Sequence, residues 1–247
     1  MQAIDVLAML FLIVAQSQSQ MPKRVPGVAP CPHIPAAGRQ FTDHGRKAIE
    51  IVVKMDVDVD GAPNAYGPRG KKTLDILKHA LAPKGTTDEG KIVGYMTEYD
   101  GGSPTLQGKQ DPFPGYYVSQ TDFADRKNKR MEDPRRYVDA TRVNYVVQGT
   151  VAEKAGVEMG DFAVVYSCRT GRTEYAIVAD SGNLSGAEGS LALVRAMGYL
   201  LKNGIDDSVE KKEIVIRYYP KSNPRKEFFK TQSELDIAAK RLGLSKQ

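Results

Sequence analysis

Short apolar segments dominate the second half of the chain and predict β-strands. Residues 143–151 and 213–220 are rich in β-branched and aromatic residues, and turn-forming residues flank them. Residues 162–180 contain two further apolar stretches on either side of a turn at 169–172, which is the pattern of a β-hairpin. The second half is therefore predicted to supply at least four strands.

The first half is less regular, but parts of it also predict extended backbone. Residues 48–61 predict a strand whose last half alternates polar and apolar residues, 91–100 predict another strand, and 111–123 predict a turn entering a strand. Helical spacing predicts short helices at 73–81, 190–198 and 233–242. Several short strands, few helices and no βαβ alternation predict a mainly β (α+β) fold, either a barrel or a sandwich, with a few peripheral helices.

The N-terminus predicts export. Residues 6–15 are an unbroken apolar run, which has the length of a signal-peptide core and falls short of the roughly 20 residues of a membrane span. Asp5 stands where a signal peptide normally has Lys or Arg, so a buried N-terminal element is the alternative. We predict a signal peptide over 1–19, a proline-rich arm over 20–40 and one folded domain over 41–247, in a secreted or periplasmic protein.

The net charge of +5 comes mostly from the end of the chain. Residues 202–247 contain 11 Lys and Arg against 7 Asp and Glu, so the 35 basic and 30 acidic residues of the whole chain leave 24 against 23 before them. A polyanion-binding protein is therefore one alternative function, and its candidate residues are Lys211, Lys212, Arg217, Lys221, Arg225 and Lys226. A solvated surface is the favoured interpretation, because acidic residues are mixed in and no nucleic-acid motif is present.

Two carboxylates lie eight residues apart around a glycine-rich loop. Asp180 ends a predicted strand, and Glu188 is expected in the first turn of the helix predicted next. Two carboxylates that face one groove can hydrolyse a glycosidic bond, one as the acid for the leaving oxygen and one as the base for water. The competing interpretation is structural, because Ser185 and Glu188 have the S-x-x-E spacing of a capping box.

A second acidic group lies on the strand predicted at 48–61. Alternation places Asp56, Asp58 and Asp60 on one face of that strand. The sequence opens like a calcium-binding loop, but Gly67 occupies the twelfth position, where an EF-hand has a bidentate Glu, so we reject an EF-hand. The face is either a solvated surface or one wall of a groove for a cationic ligand.

Cysteine and histidine are too few for a typical zinc site. The chain has two cysteines, Cys31 and Cys168, and three scattered histidines. Zinc ligands would have to come mainly from carboxylates, which is unusual. In an oxidising compartment the two cysteines could form one disulfide, although their separation in sequence does not decide this.

Four segments carry a resemblance to a known enzyme family, in the order in which that family has them. They are residues 55–68, 111–123, 136–147 and 160–198. Together they resemble the chitosanases of glycoside hydrolase family 75, in particular the bacterial relatives, over roughly 48–219. The fungal members have a comparable M-D-I-D-C-D-G-A stretch and a G-D-T-N-G-G segment leading into G-E-A-S-I-S-L. Asp180 matches the Asp of that segment and Glu188 matches the Glu, the two positions associated with catalysis.

The resemblance implies a single barrel-like β core and endo-hydrolysis of β-1,4-linked glucosamine with inversion. Under it, Asp56, Asp58 and Asp60 are expected to bind substrate. The chain has no Trp, so sugar stacking would need tyrosines such as Tyr66. A helix N-terminus would lower the pKa of Glu188 and suit it to the base, with Asp180 as the acid, although burial could reverse the roles.

The expected partner is a polysaccharide, chitosan or a related amino-sugar polymer. We expect no cofactor, no metal ion, no nucleic-acid partner, no membrane association after signal removal, and a monomer. A non-catalytic carbohydrate- or cell-wall-binding module on the same barrel is the other alternative.

Overall fold

The fold is built mainly from β-strands. The computed structural model describes residues 21–201, 205 and 207–246. Within these residues the strands are β1 (Arg39–Asp43), β2 (Arg46–Asp58), β3 (Tyr145–Val147), β4 (Phe162–Ser167), β5 (Thr173–Asp180), β6 (Glu188–Ser190) and β7 (Ser208–Tyr218). The helices are α1 (Thr150–Lys154), α2 (Leu191–Ala196) and α3 (Gln232–Arg241), with a 3-10 helix at Pro134–Arg136.

Six strands close into a barrel. Their order is β2-β6-β3-β5-β4-β7, and pairing between β2 and β7 completes the circle, while β1 adds one antiparallel strand beside β2. The pairs β2–β6 and β3–β5 are parallel, and the other pairs of the barrel are antiparallel. The prediction of a mainly β fold with a barrel-like core and a few short helices is confirmed.

Strand alternation produces the barrel's apolar core. On β2, Ile49, Ile51 and Met55 are buried, and they belong to one cluster with residues of β4, β5 and β7 such as Val165 and Ile216. Burial of each such side chain contributes on the order of 2 kcal/mol. The alternate residues of β2 face the other side of the sheet, and towards the end of the strand these are the half-buried Asp56 and Asp58.

A second core covers part of the barrel's outer surface. It joins Tyr145, Phe162 and Ile177 of the barrel to Leu235 and Ala239 of α3. Thr231 caps the N-terminus of α3 in a capping box with Glu234, and the helix predicted at 233–242 is confirmed.

The segment between β2 and β3 is less regular than predicted. Residues 73–81 form turns rather than a helix, because Leu81 bridges to Ile92 and the Asp75 carboxylate accepts the Ile76 amide and bonds the His79 ring. Residues 91–100 and 111–123 contribute isolated bridges, such as Tyr95 to Ser119, and not full strands. Side-chain to backbone bonds compete with regular pairing there: Ser119 donates to the Gly94 carbonyl at 2.8 Å.

The N-terminal arm is attached to the barrel. Its Cys31 forms a disulfide with Cys168, and the Val25 amide donates to the Arg169 carbonyl at 2.9 Å. The predicted signal peptide at 1–19 lies outside the described residues. Strand β1 starts at Arg39, slightly before the predicted end of the arm at 40, because it pairs with β2 from there onward. No helix in the described part of the chain has the length and apolarity required to cross a membrane.

Removal of the disulfide should destabilise the protein. The bond joins residues 137 positions apart and therefore restricts the unfolded chain strongly. We expect Cys31→Ser with Cys168→Ser to lower the free energy of unfolding by about 2–4 kcal/mol, measured by urea denaturation. Reduced wild-type protein should match the double variant. A loss below about 0.5 kcal/mol, the range of neutral surface substitutions, would contradict this expectation.

Candidate active site

An acidic cleft of about 720 Å³ lies against the outer side of the barrel. Its lining contains seven carboxylates, those of Asp56, Asp58, Asp60, Asp75, Asp180, Glu188 and Asp207. Among the residues that the structure describes, the basic side chains in this lining are His79 and Lys84. We call this space the acidic cleft.

Strand register places Asp180 and Glu188 on the same row of the sheet. Val147 of β3 pairs with Asp180, and the preceding residue, Val146, pairs in the antiparallel direction with Gly189. Val147 therefore lies between Asp180 and Glu188. Two strand spacings separate the Cα atoms of these two residues, which is about 10 Å.

Glu188 is a strand residue and not a helix cap, which corrects the sequence prediction. Helix α2 begins after Ser190, whose side chain accepts the Leu193 amide. Glu188 instead pairs with Asp56 of β2, and its Oε1 accepts a hydrogen bond from Asn183 Nδ2 at 2.7 Å. The pairing of Glu188 with Asp56, which is distant in sequence, therefore determines the conformation of Glu188, in place of the local capping box predicted for Ser185 and Glu188.

The electrostatic environment of Glu188 also differs from the expectation. Burial, followed by repulsion from Asp58, raises the pKa of Glu188 to about 7, and the bond from Asn183 only partly opposes this. The lowered pKa expected from a helix N-terminus is therefore wrong. A carboxylate with a pKa near neutrality can both accept and release a proton during a reaction.

Asp180 lies buried beside several other carboxylates. Its Oδ1 accepts the Ser181 amide at 2.8 Å, and its Oδ2 has no hydrogen-bond partner among the described residues. Burial is the largest cause that raises the pKa of Asp180 well above its ordinary value, and the carboxylates of Asp58, Asp60 and Asp122 add to it. Burial and the neighbouring carboxylates therefore favour the protonated form of Asp180.

Asp58 and Asp60 are held in place by hydrogen bonds. Asp58 Oδ1 accepts the Asp60 amide at 2.8 Å, and Asp60 Oδ1 accepts the Tyr66 hydroxyl at 2.7 Å. Burial raises the pKa of Asp58 to about 6 and, together with repulsion from Asp58, raises the pKa of Asp60 well above its ordinary value. The interpretation of these two residues as part of a merely solvated surface is therefore wrong. Strand β2 ends at Asp58, and Asp60 lies in the turn that follows.

Tyr66 is not available as a stacking platform. Its side chain is 2% exposed and packs against Tyr95, with ring centroids 5.6 Å apart. A sugar ring cannot reach its face, so the expected stacking role is wrong. Tyr66 lines the acidic cleft only through the hydroxyl group that positions Asp60.

Sequence reasoning missed several contributors to the acidic cleft, including Asp75 and Asp207 of its lining. His79 Nδ1 lies 2.8 Å from Asp75 Oδ1, an i,i+4 pair that the spacing alone could have suggested. Asn183 holds Glu188 from within the glycine-rich loop. Asp122, near the end of the segment 111–123, accepts a hydrogen bond from the Ser181 hydroxyl.

The fold and site define a barrel with a carboxylate-rich cleft. Among the described residues, no group of three or more His, Cys, Asp or Glu side chains is arranged to hold a metal ion. No model of a known protein family matches the chain, and no curated protein matches it significantly.

The carboxyl cluster should make the fold less stable as the pH rises. A carboxyl whose pKa is higher in the folded state than in the unfolded state favours folding below the unfolded pKa, about 4, and this contribution is lost as the pH rises through the folded value. With folded pKa values of about 6 for Asp58 and about 7 for Glu188, we expect a loss between pH 4 and 8. It should be on the order of 2 kcal/mol.

Denaturation at a series of pH values measures this effect. Glu188→Gln should flatten the decline, because Gln does not titrate. A wild-type protein that becomes more stable from pH 4 to 8, or a variant with an unchanged slope, would contradict the raised pKa values.

Proposed function

We propose that the chain is an endo-acting glycoside hydrolase that cleaves β-1,4-linked glucosamine polymers, such as chitosan, with inversion. The observation that carries this proposal is the placement of Asp180 and Glu188 on either side of Val147 in one acidic cleft. It agrees with the resemblance of the same two residues to the catalytic positions of family 75 chitosanases.

The two carboxyls take complementary roles. Asp180 retains its proton and donates it to the leaving glycosidic oxygen, while ionised Glu188 removes a proton from the attacking water. An inverting pair needs carboxyl groups about 6.5–9.5 Å apart to admit that water, whereas a retaining pair needs about 5–5.5 Å. The backbone separation of two strand spacings favours the inverting arrangement.

The charge of the cleft supports a cationic substrate. Seven carboxylates line it in a protein whose net charge is +5, so the acidity is local to this surface. Protonated amino sugars would lower the energy of the ionised carboxylates, whereas acetylated sugars carry no charge with which to do so.

The rival functions have less support. A non-catalytic module would not need two carboxyls whose pKa values are raised toward the range useful for proton transfer. The basic C-terminal stretch does not present all its charges to a polyanion, because Arg217 pairs with Glu50 and Asp43, and Lys226 pairs with Glu158.

The disulfide supports a secreted or periplasmic location. Cys31 and Cys168 are joined, and such bonds persist mainly in oxidising compartments. This agrees with the export signal predicted at 1–19.

The test is reducing-end release from four polymers: chitosan, chitin, cellulose and peptidoglycan. We expect release from chitosan at a rate well above that from the other three. Release from none of them, together with retained binding, would favour the non-catalytic module. Faster release from an uncharged polymer would contradict the role of the acidic cleft in selecting substrate.

Asp56, Asp58 and Asp60 should make the acidic cleft bind charged sugars in preference to uncharged ones. We expect Asp56→Asn with Asp58→Asn and Asp60→Asn to weaken binding of deacetylated oligomers by about tenfold or more and to reduce its salt dependence. Acetylated oligomers should be affected far less. Asn preserves an acceptor for Tyr66, so the hydrogen bond to residue 60 can be retained.

A triple variant at exposed acidic positions provides the control. Glu98→Gln, Glu132→Gln and Glu153→Gln remove the same number of carboxyl groups, from residues outside the acidic cleft. Calorimetric titration with both oligomer types compares the two triples. Equal losses on both oligomers, or equal losses in both triples, would contradict a role in charge recognition.

A further inference from the structure

A second cleft, of opposite charge, lies beside the C-terminal end of α3. It has a volume of about 840 Å³ and is bounded by residues 125–127 and 222–230 and by the end of the helix. Its basic lining residues are Arg126, Lys127, Arg225, Lys226, Lys230 and Arg241, against two acidic ones, Asp125 and Glu227. We call it the basic cleft.

Most of this positive charge is uncompensated. Within the described part of the chain, Lys226 is paired with Glu158 and Arg241 with Glu227. The other four cations, which are exposed, make no ion pair there: Arg126, Lys127, Arg225 and Lys230. Exposed cations that converge on one cleft attract anions from solution.

The turn that presents these lysines and arginines is held by buried polar groups. Asp161, fully buried, accepts the amides of Lys221 and Asn223. Asn223 in turn donates to the carbonyls of Gly160 and Glu227 at 2.9 and 3.0 Å. The backbone of this side of the basic cleft is therefore fixed before any ligand arrives.

The same turn has an unusual backbone conformation. Lys221 and Lys226 have φ of 59° and 50°, and His44 is the only other non-glycine with positive φ among the described residues. Such conformations are costly for lysine and persist where surrounding structure enforces them, often at binding sites. Here the buried Asp161 and Asn223 supply that enforcement.

The opposite side of the cleft is equally fixed. The Arg136 guanidinium donates to the carbonyls of Asp125 and Asn128, and the Lys127 amide donates to Asp125 Oδ1 at 2.9 Å. This brings Arg126 and Lys127 to the rim on a short, internally bonded loop. The two sides together form a preorganised, positively charged surface.

We propose that the basic cleft binds an anionic polysaccharide. Pro224, Phe228 and Leu242 provide apolar surface between the cations, onto which the carbon faces of sugar rings can pack. The exposed cations on both rims leave the cleft accessible to a chain that extends beyond it. A single-stranded nucleic acid would need several exposed aromatic rings on which successive bases stack, whereas the aromatic lining that the structure describes is one half-buried ring, Phe228, and one buried ring, Phe162.

A small hollow adjoins the basic cleft, and one of its lining residues is hydrogen-bonded to a residue of the acidic cleft. Its volume is about 320 Å³, it shares Arg126 and Lys226 with the basic cleft, and it includes Asp122. Asp122 accepts the Ser181 hydroxyl, and Ser181 lines the acidic cleft. The choice of a polysaccharide as the ligand rests partly on the proposed function. If the acidic cleft binds a polymer of cationic sugars, the basic cleft would be a site for anionic sugars on the same protein.

Titration of the full chain with polygalacturonate tests this proposal. We expect Arg225→Gln with Lys230→Gln to weaken binding by about tenfold and to reduce its salt dependence, because two charge-assisted contacts are lost. The matched control is Lys211→Gln with Lys212→Gln, which removes the same charge from exposed residues of β7 outside the basic cleft. The control should weaken binding less than about twofold, the effect of distant screened charges.

The alternatives give distinct results. Equal losses in both double variants, or absent binding by the wild type, would overturn the site. Binding of single-stranded DNA more tightly than polygalacturonate would overturn the assignment to a polysaccharide, and uncharged dextran should not bind. Asp180→Asn should leave polygalacturonate binding unchanged. Loss of the proposed hydrolase function would appear as inactivity on chitosan with polygalacturonate binding intact, so the two proposals fail independently.

Discussion

Glu188→Gln should lower the rate of chitosan hydrolysis by about two to four orders of magnitude while the protein stays folded. The substitution removes the proton acceptor for the attacking water. It keeps a side-chain oxygen that can accept the Asn183 bond, and it leaves the pairing of β6 with β2 and β3 intact. Turnover measured from reducing ends, with circular dichroism as the check of folding, gives the result.

Glu98→Gln is the matched control. Glu98 is an exposed carboxylate outside the lining of the acidic cleft, and its variant should retain turnover within about twofold, as expected for a screened surface charge. Near wild-type turnover of Glu188→Gln would end the catalytic assignment of Glu188. A similar loss in both variants would indicate a general effect of charge.

Asp180→Asn should cause a loss of similar size on chitosan, about two to four orders of magnitude, because the leaving oxygen is no longer protonated. On an oligosaccharide with an activated aryl leaving group the loss should be much smaller, since such a group departs without a proton. The ratio of turnover on the two substrates therefore separates acid from base. Glu188→Gln should lose activity on both substrates alike.

Two outcomes would contradict these roles. If Asp180→Asn lost equally on both substrates while Glu188→Gln was rescued by the activated leaving group, acid and base would be exchanged. If neither variant lost turnover, the reaction would lie elsewhere. Asp180→Asn should change the stability of the fold little. The buried Oδ2 of Asp180 has no partner among the described residues, so no described hydrogen bond to that atom is lost.

Sequence predicted those elements that local pattern determines. The residue pattern correctly predicted four features: strand β2, the hairpin of β4 and β5, strand β7 and helix α3. The closure of the barrel depends on pairing between β2 and β7, which are separated by some 150 residues. Pattern along the chain indicated a barrel or a sandwich but not this strand order.

The errors in the site have the same physical origin. Glu188 has a capping-box spacing, but strand pairing with residues of β2 and β3 determines its conformation. The sequence predicted Tyr66 as a stacking platform for sugar, but tertiary packing buries its ring against Tyr95. The signs of the pKa shifts also required the tertiary structure, because Asp58 and Asp180 come together only when the strands β2 and β5 join one barrel.

The basic cleft was equally beyond sequence reasoning. Its cations come from 126–127, 225–230 and 241, which the fold brings together. The sequence singled out Arg225 and Lys226 as part of a charged stretch, but the left-handed backbone of Lys226 and the buried groups that hold this turn are visible only in three dimensions.

Time-resolved proton NMR of the products from chitosan oligomers tests the central claim most directly. If Asp180 and Glu188 hydrolyse a β-1,4 bond as an inverting pair, the first product released carries the α-anomer at its new reducing end, and the β-anomer accumulates only later by mutarotation. Early appearance of the β-anomer, or no product from any oligomer, would contradict the account.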